Sequence, residues 1–283
     1  MKINSVILTT KNRSCEAEAL AHEIKTWLKA RGVKVCQCAE LPERREWEED
    51  ESFAADLIII LGGDGTILNQ ARNMLWLDIP FLGLNLGKVG FMADISRDLW
   101  KEQLATVLEQ DLQVCKRMVL GYELIRQGAL LEKGCAINEV VINRGELARL
   151  ITLELELPGA SKQTIRSDGL IFSTPTGSTA YSVSAGGPLV HPDLEAIIIT
   201  AICPFLYDFK PLVLPAIQTV TADISKSDAD AYLTVDGQSG FKLVAGDRVR
   251  VFRNHLDFKV LRCPDTNFAS KLVNKGFLKG ENN

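Results

Sequence analysis

Gly62-Gly63-Asp64-Gly65-Thr66 stands between the aliphatic run Leu57-Ile58-Ile59-Ile60-Leu61 and a segment with helical spacing. A glycine turn joining a buried strand to a helix suits anion binding, because backbone N–H groups at the helix start point at the ligand. The turn lacks the lysine of a Walker loop and the spacing of G-x-G-x-x-G. It also carries a carboxylate, Asp64, in its middle, where a phosphate would be repelled. The plain structural alternative is that Asp64 is an N-cap for the following helix.

Two further clusters stand out. In Asp168-Gly169-Leu170-Ile171-Phe172-Ser173-Thr174-Pro175-Thr176-Gly177-Ser178-Thr179-Ala180-Tyr181, an apolar strand leads into hydroxyl residues around Pro175 and Gly177. A short helix, STAYSVSA, is expected next, stopped by Gly186-Gly187-Pro188. Its N-terminus suits a second anion, and Tyr181 suits stacking on a planar base. The bland alternative is a solvated Ser/Thr turn. Asn138-Glu139 interrupts the otherwise apolar AINEVVI. An adjacent amide and carboxylate can read both donors and acceptors of a nucleoside, or simply form a polar strand end.

The elements that must position these groups follow two grammars. Residues 3–8 read as a strand. A helix capped by Ser14 follows, with Glu16 and Glu18 in its first turn and apolar Leu20, Ile24, Trp27 and Leu28 at helical spacing. Gly32 sits where a C-terminal cap belongs. Strands are expected at 33–35, 55–61 and 81–84, a helix at 67–77, and a solvated acidic surface at 43–51. This βαβ rhythm implies a mainly parallel sheet with helices on its faces. From about residue 118, short β-rich segments separated by Gly, Asn and Asp imply a second, mostly antiparallel domain. Only 178–185 and the tail from Asn267 to Leu278 read as helical there. The tail has Phe268, Leu272, Val273 and Phe277 near helical spacing, an apolar stripe that needs a partner.

The whole chain narrows the class. Its 283 residues suffice for one large domain or two ordinary ones, with 46% apolar and 24% charged residues. A net charge of −4 and no basic block argue against nucleic acid. The absence of a long apolar run argues against a membrane span, and a cytoplasmic protein is expected. The seven cysteines include a close pair, Cys36 and Cys38, which could form a metal half-site on a strand. Reduced core thiols are the preferred reading. Three dispersed histidines do not suggest zinc; any metal would be Mg²⁺ held mainly by phosphate oxygens.

LGGDGTIL, GLNLGKVGF at 83–91, NEVVI at 138–142, DGLIFSTPTGSTAYSVSAGGPLVHP at 168–192, PLVLP at 211–215 and VDGQ at 235–238 together resemble the NAD kinase family. The long middle motif is specific. GGDGT alone is shared with lipid kinases and phosphofructokinases. The resemblance implies ATP-dependent phosphorylation of the adenosine-ribose 2′-hydroxyl of NAD, giving NADP. It also implies an α/β N-terminal domain (1–115), a β-rich NAD-binding domain (116–262), an active site in the cleft between them, and a tail (263–283) that returns to the first domain. Gly62, Gly63, Gly65 and Thr66 would face the donor phosphates, with Mg²⁺ on the nucleotide and no protein ligand to the metal. Asp64 would face the incoming hydroxyl as general base. Asn138, Glu139, Asp168, Thr179, Ala180, Tyr181 and Ser184 would hold NAD, with Asn85 supporting the site and Arg166 and Asp236 in second rank. A homodimer or homotetramer is implied too.

The chain departs from the family at Pro204–Pro211, where PHSLSxRP is usual and a His and an Arg are missing, and at Ser167, where Ala or Gly is usual. Rival readings are a lipid or other small-alcohol kinase, a non-catalytic NAD(P)-binding sensor, and an oxidoreductase. The first leaves Asn138-Glu139 and Tyr181 unexplained; the second is disfavoured by Asp64; the third lacks its glycine fingerprint.

Overall fold

The strand that leads into the glycine turn, β3 (Leu57–Leu61), is buried on both faces, which is why all five of its residues are aliphatic. Each such side chain stabilises the fold by about 1.5–3 kcal/mol when removed from water, so the turn starts from a fixed post. The protein is described here by a computed structural model covering residues 2–10, 15–38, 55–87, 90–110, 112–146, 149–207, 209–225, 230–263 and 267–279. The expected Ser14 cap and the acidic stretch 43–51 lie outside the described residues.

By contacts the chain divides into two units, residues 1–116 with 258–283, and residues 117–257. In the first, β1 (Ser5–Thr10) pairs in parallel with β2 (Lys34–Cys38) and with β3; β3 pairs in parallel with β4 (Phe81–Asn85), and β4 with the short β5 (Ile95–Ser96). The helix Cys15–Lys29 buries Leu20, Ile24 and Leu28, as its spacing implied, and Gly32 adopts a left-handed φ of +79° just beyond its end. The helix after the turn spans Asp64–Met74, starting three residues earlier than its apolar pattern suggests, and closes through a 3-10 turn at Leu75–Leu77. A helix at Trp100–Glu109 went unread in the sequence, although Trp100, Leu104 and Val107 carry its i, i+4, i+7 stripe and are buried.

The second unit is β-rich. Its strands are β6 (Val114–Arg126, starting in the first unit), β7 (Ala129–Ala136), β8 (Glu139–Arg144), β9 (Ile151–Glu156), β10 (Gln163–Ser167), β11 (Gly169–Ser173), β12 (Ala196–Ile202), β13 (Leu212–Pro215), β14 (Val220–Ile224), β15 (Ala231–Val235), β16 (Ser239–Leu243) and β17 (Arg248–Leu261, ending in the first unit). One antiparallel sheet runs β13-β12-β11-β8-β15-β16, and β10-β9-β14-β17 form another run of antiparallel pairs. Period-two alternation is plain in β9, where Ile151, Leu153 and Leu155 are buried while Thr152 and Glu154 are more exposed. Leu153, Ala222 and Val249 share one core with Phe172, Ile142 and Leu233 of the six-stranded sheet. The expected strand CAINEVVI is broken at Ile137-Asn138, between β7 and β8.

Candidate active site

In the first unit the candidate residues gather at the glycine turn. A Cβ at Gly62 would lie 2.7 Å from Cβ of Thr66, so only glycine lets the chain fold back here. The helix is capped by the backbone of Gly63, with no side-chain cap bond, and Thr66 and Ile67 donate their N–H groups to Gly63 O at 2.9 and 3.0 Å. Asp64 is therefore the first residue of the helix, not its N-cap. Its carboxylate turns sideways to accept Phe91 N–H (2.9 Å) and Met92 N–H (3.2 Å) from the GLNLGKVGF stretch and the residue after it. Gly90 makes this approach possible, since a Cβ there would sit 1.9 Å from Asp64 Oδ1. Above the turn the space is open: a Cβ at Gly63 or Gly65 would meet no heavy atom within 4 Å. Asn85, buried at the end of β4, accepts Gly87 N–H at 2.8 Å and shapes the start of the loop that reaches Asp64.

In the second unit the structure brings Asn138, Glu139, Asp236, Tyr181 and the Thr174–Gly177 bend together. Asp236, with a left-handed φ of +50°, accepts the backbone N–H groups of Asn138 (2.8 Å), Glu139 (3.1 Å) and Ile137 (3.1 Å). That clamp explains the break between β7 and β8. Thr174 donates its hydroxyl to Ile137 O at 2.7 Å, and its N–H to Asn138 O at 2.8 Å. Gly177 packs so closely that a Cβ would stand 2.3 Å from Asn138 O. The Glu139 carboxyl, thus fixed and buried, is pushed up to about 8 by desolvation and by the nearby Asp236 charge, against the Tyr181 backbone N–H, which pulls it down. Two buried oxygens there, Glu139 Oε2 and Thr176 Oγ1, have no hydrogen-bond partner. Buried polar atoms left this way are uncommon in folded proteins.

The hydroxyl run is mostly architectural. Ser178 Oγ donates to Pro175 O at 2.7 Å and accepts Val190 N–H at 3.1 Å, and Ser182 Oγ meets Thr200 Oγ1 at 3.1 Å. The expected helix is split into a 3-10 turn, Thr176–Thr179, and a single α turn, Tyr181–Ser184, with Ala180 at φ −101°, ψ −124° between them. Such short pieces carry little macrodipole of their own. Thr179 donates to Thr176 O at 3.3 Å, Ala180 is half-buried, Ser184 is exposed, and the Tyr181 ring is exposed and available for stacking.

Asp168 is held by Arg144, whose Nε lies 2.7 Å from Oδ1. Arg166 places its guanidinium 5.0 Å from the ring centre of Phe205, in the divergent segment. The unusual Ser167 is fully buried and donates to Gly169 O at 2.9 Å, so its hydroxyl is satisfied within the chain. Sequence reasoning did not single out Gly90, Phe91 or Arg144 beside the site residues; only their long-range contacts reveal them. Among the described residues no group of three His, Cys, Asp or Glu is arranged to hold a metal ion, and no helix is long and apolar enough to cross a membrane.

Residues 6–112 match the family model of the ATP-NAD kinase N-terminal domain, and residues 137–263 that of the C-terminal domain. The chain belongs to the NAD kinase family. An NAD kinase of Nitratidesulfovibrio vulgaris (strain DSM 19637 / Miyazaki F) is 42% identical over 99% of this chain and 98% of its own length. One of Geobacter sulfurreducens is 41% identical over 89% and 90%. Among solved structures, an NAD kinase from Archaeoglobus fulgidus in complex with ATP is similar with a TM-score of 0.75 and 25% identity, over 95% of this chain and 99% of that one. Yeast NADH kinase complexed with NADH shares the fold, with a TM-score of 0.84 over 100% and 89% at 23% identity. The α/β N-terminal and β-rich C-terminal domains are those of the NAD kinase fold. As an NAD kinase family member, the chain is a phosphotransferase acting on a hydroxyl group, and the lipid-kinase, sensor and oxidoreductase readings fall away.

Proposed function

We propose that the chain phosphorylates the 2′-hydroxyl of the adenosine ribose of NAD with ATP, and that Asp64 is the group that orients this hydroxyl and takes its proton. The oxygen forms a bond to the γ-phosphorus, the bond from that phosphorus to the bridging oxygen breaks, ADP leaves, and the proton passes to the Asp64 carboxylate. The observation that carries this reading is the Asp64 carboxylate itself. It is turned away from the cap position and aimed by the N–H groups of Phe91 and Met92. Gly63 and Gly65, with open space above them, and Thr66 would receive the phosphates of ATP. Mg²⁺, carried on the phosphate oxygens, would offset the negative charge near Asp64.

On the acceptor side, Glu139 and Asn138 would take the sugar hydroxyls, supported by the unpartnered Glu139 Oε2, and Tyr181 would stack on a base. Asp168, Thr179, Ala180, Ser184 and Arg166 complete the proposed NAD site; Asn85 and Asp236 act by shaping its loops. A cytoplasmic setting and a homodimer or homotetramer belong to the same proposal. The scattered cysteines, with no C-x-x-C pair in the sequence, support the first. Exposed apolar Phe205, Leu206 and Val213, the last on edge strand β13, support the second, and light scattering at micromolar protein should give more than one protomer's mass.

Purified protein incubated with Mg-ATP and NAD, coupled to a strictly NADP-dependent dehydrogenase, tests the activity. NADP should accumulate with time and enzyme; none forming with both substrates at millimolar concentration would sink the proposal.

A further inference from the structure

The last helix, Phe268–Asn274, belongs to the first unit and brings it one half-buried cation. Asn267 caps it by accepting Ser270 N–H at 2.8 Å, Leu272 is buried, and the Phe277 ring lies 6.0 Å from that of Phe91. Lys271 Nζ donates to Phe91 O at 2.9 Å and pairs with the Asp94 carboxylate, the two side chains being 12% and 6% exposed. Phe91 is also the residue whose N–H holds Asp64.

The covalent geometry links these contacts. Phe91 O and Met92 N–H belong to one planar peptide unit, and no described peptide bond is cis. In a trans unit the carbonyl and the N–H point in opposite directions. Lys271 therefore grips one side of the plane while Asp64 Oδ1 accepts the N–H on the other, at 3.2 Å. Rotating that plane would break both contacts at once. The ammonium beside the carbonyl also polarises the peptide, strengthening the N–H as a donor. Asp94, joined through its N–H to Gly83 O on β4, anchors Lys271 to the parallel sheet.

We propose that Lys271 is a positioning residue for Asp64, acting through the Phe91–Met92 peptide plane, so that this one contact, rather than the attachment of the C-terminal helix as such, sets the turnover of the enzyme. The proposal rests on the reading of Asp64 as proton acceptor. The competing role is purely structural: an ion pair that keeps the tail attached.

A double-mutant cycle on the full-length chain, read by NADP formation well below the melting temperature, separates the two. Lys271→Met should lower kcat by about 10–100-fold, the scale of a misplacement on the order of 1 Å, while KM for NAD and ATP stays within about threefold. Lys271→Arg, which can still donate to both acceptors, should recover most of the loss. In an Asp64→Asn background, Lys271→Met should cost almost nothing more, because its route of action is gone. Leu272→Ala, which loosens the tail without touching the peptide plane, should lower the melting temperature but keep kcat. If Lys271→Met does not fold, Lys271→Met/Asp94→Asn leaves no lone buried charge and is read in its place. A stability loss with normal kcat, or an equal fold-loss with and without Asp64, would overturn the proposal. Near-normal turnover in Asp64→Asn alone would instead refute the proton-acceptor reading beneath it.

Discussion

Alanine at position 90 would place a methyl group where the Asp64 carboxylate now lies. The new Cβ would be 1.9 Å from Oδ1 and 2.2 Å from both Cγ and Oδ2, whereas real Cβ contacts essentially never fall below 3.0 Å. The nearest oxygen must therefore withdraw by about 1.1 Å, a shift on the scale that costs roughly 10²-fold in rate. It cannot do so and keep its bonds. The Met92 N–H contact, already 3.2 Å, would pass beyond hydrogen-bonding range. The stability cost is smaller: overpacking costs about 1–3 kcal/mol. Part of that is offset by about 0.4–1 kcal/mol from a less flexible unfolded chain, because Gly90 does not need a left-handed φ. Gly90→Ala should thus melt only a few degrees lower yet turn over about 100-fold more slowly, with KM for NAD within about threefold. Coupled NADP formation beside a thermal melt measures both. Turnover within threefold of the parent in a folded Gly90→Ala protein would refute the idea that the loop aims Asp64.

Tyr181→Ala should raise KM for NAD more than it lowers kcat, because a stacking platform contributes about 1–3 kcal/mol to ground and transition states alike; reduced kcat with unchanged KM would remove Tyr181 from the base site. Glu139→Gln should change the pH dependence of stability. With its carboxyl raised to about 8 in the fold, the native chain keeps a proton that the unfolded chain releases near 4.5, so this group makes stability fall as pH rises through that window. Relative to the parent, Glu139→Gln should gain stability from about pH 4.5 to 8 and hold a constant difference above it; melts across pH 4–9 showing parallel curves would contradict the raised, buried carboxyl.

The glycine turn was legible because its signals are local: five aliphatic residues, a tight bend and a helical stripe at Ile67, Leu68, Ala71 and Met74. The two fold classes were legible for the same reason, since 3.6-residue and two-residue periods differ over short windows. What Asp64 does was not, because a cap and a loop-held carboxylate have the same local sequence, and the deciding N–H groups lie 27 and 28 residues away. The partners of the Ser/Thr run were hidden for a related reason. Ser178 finds Val190 and Ser182 finds Thr200, contacts 12 and 18 residues away. Lys271 carries no local signal, because the groups that give it its place, Asp94 and Phe91, lie 177 and 180 residues away.

Asp64→Asn tests the central claim most directly. It keeps the size of the side chain, and its amide oxygen can still accept one loop N–H, but it removes the proton acceptor. General-base contributions are typically about 10²–10⁴-fold, so NADP formation should slow by that order while KM for NAD and the melting temperature change little. Near-normal turnover in a stable Asp64→Asn protein would contradict the account.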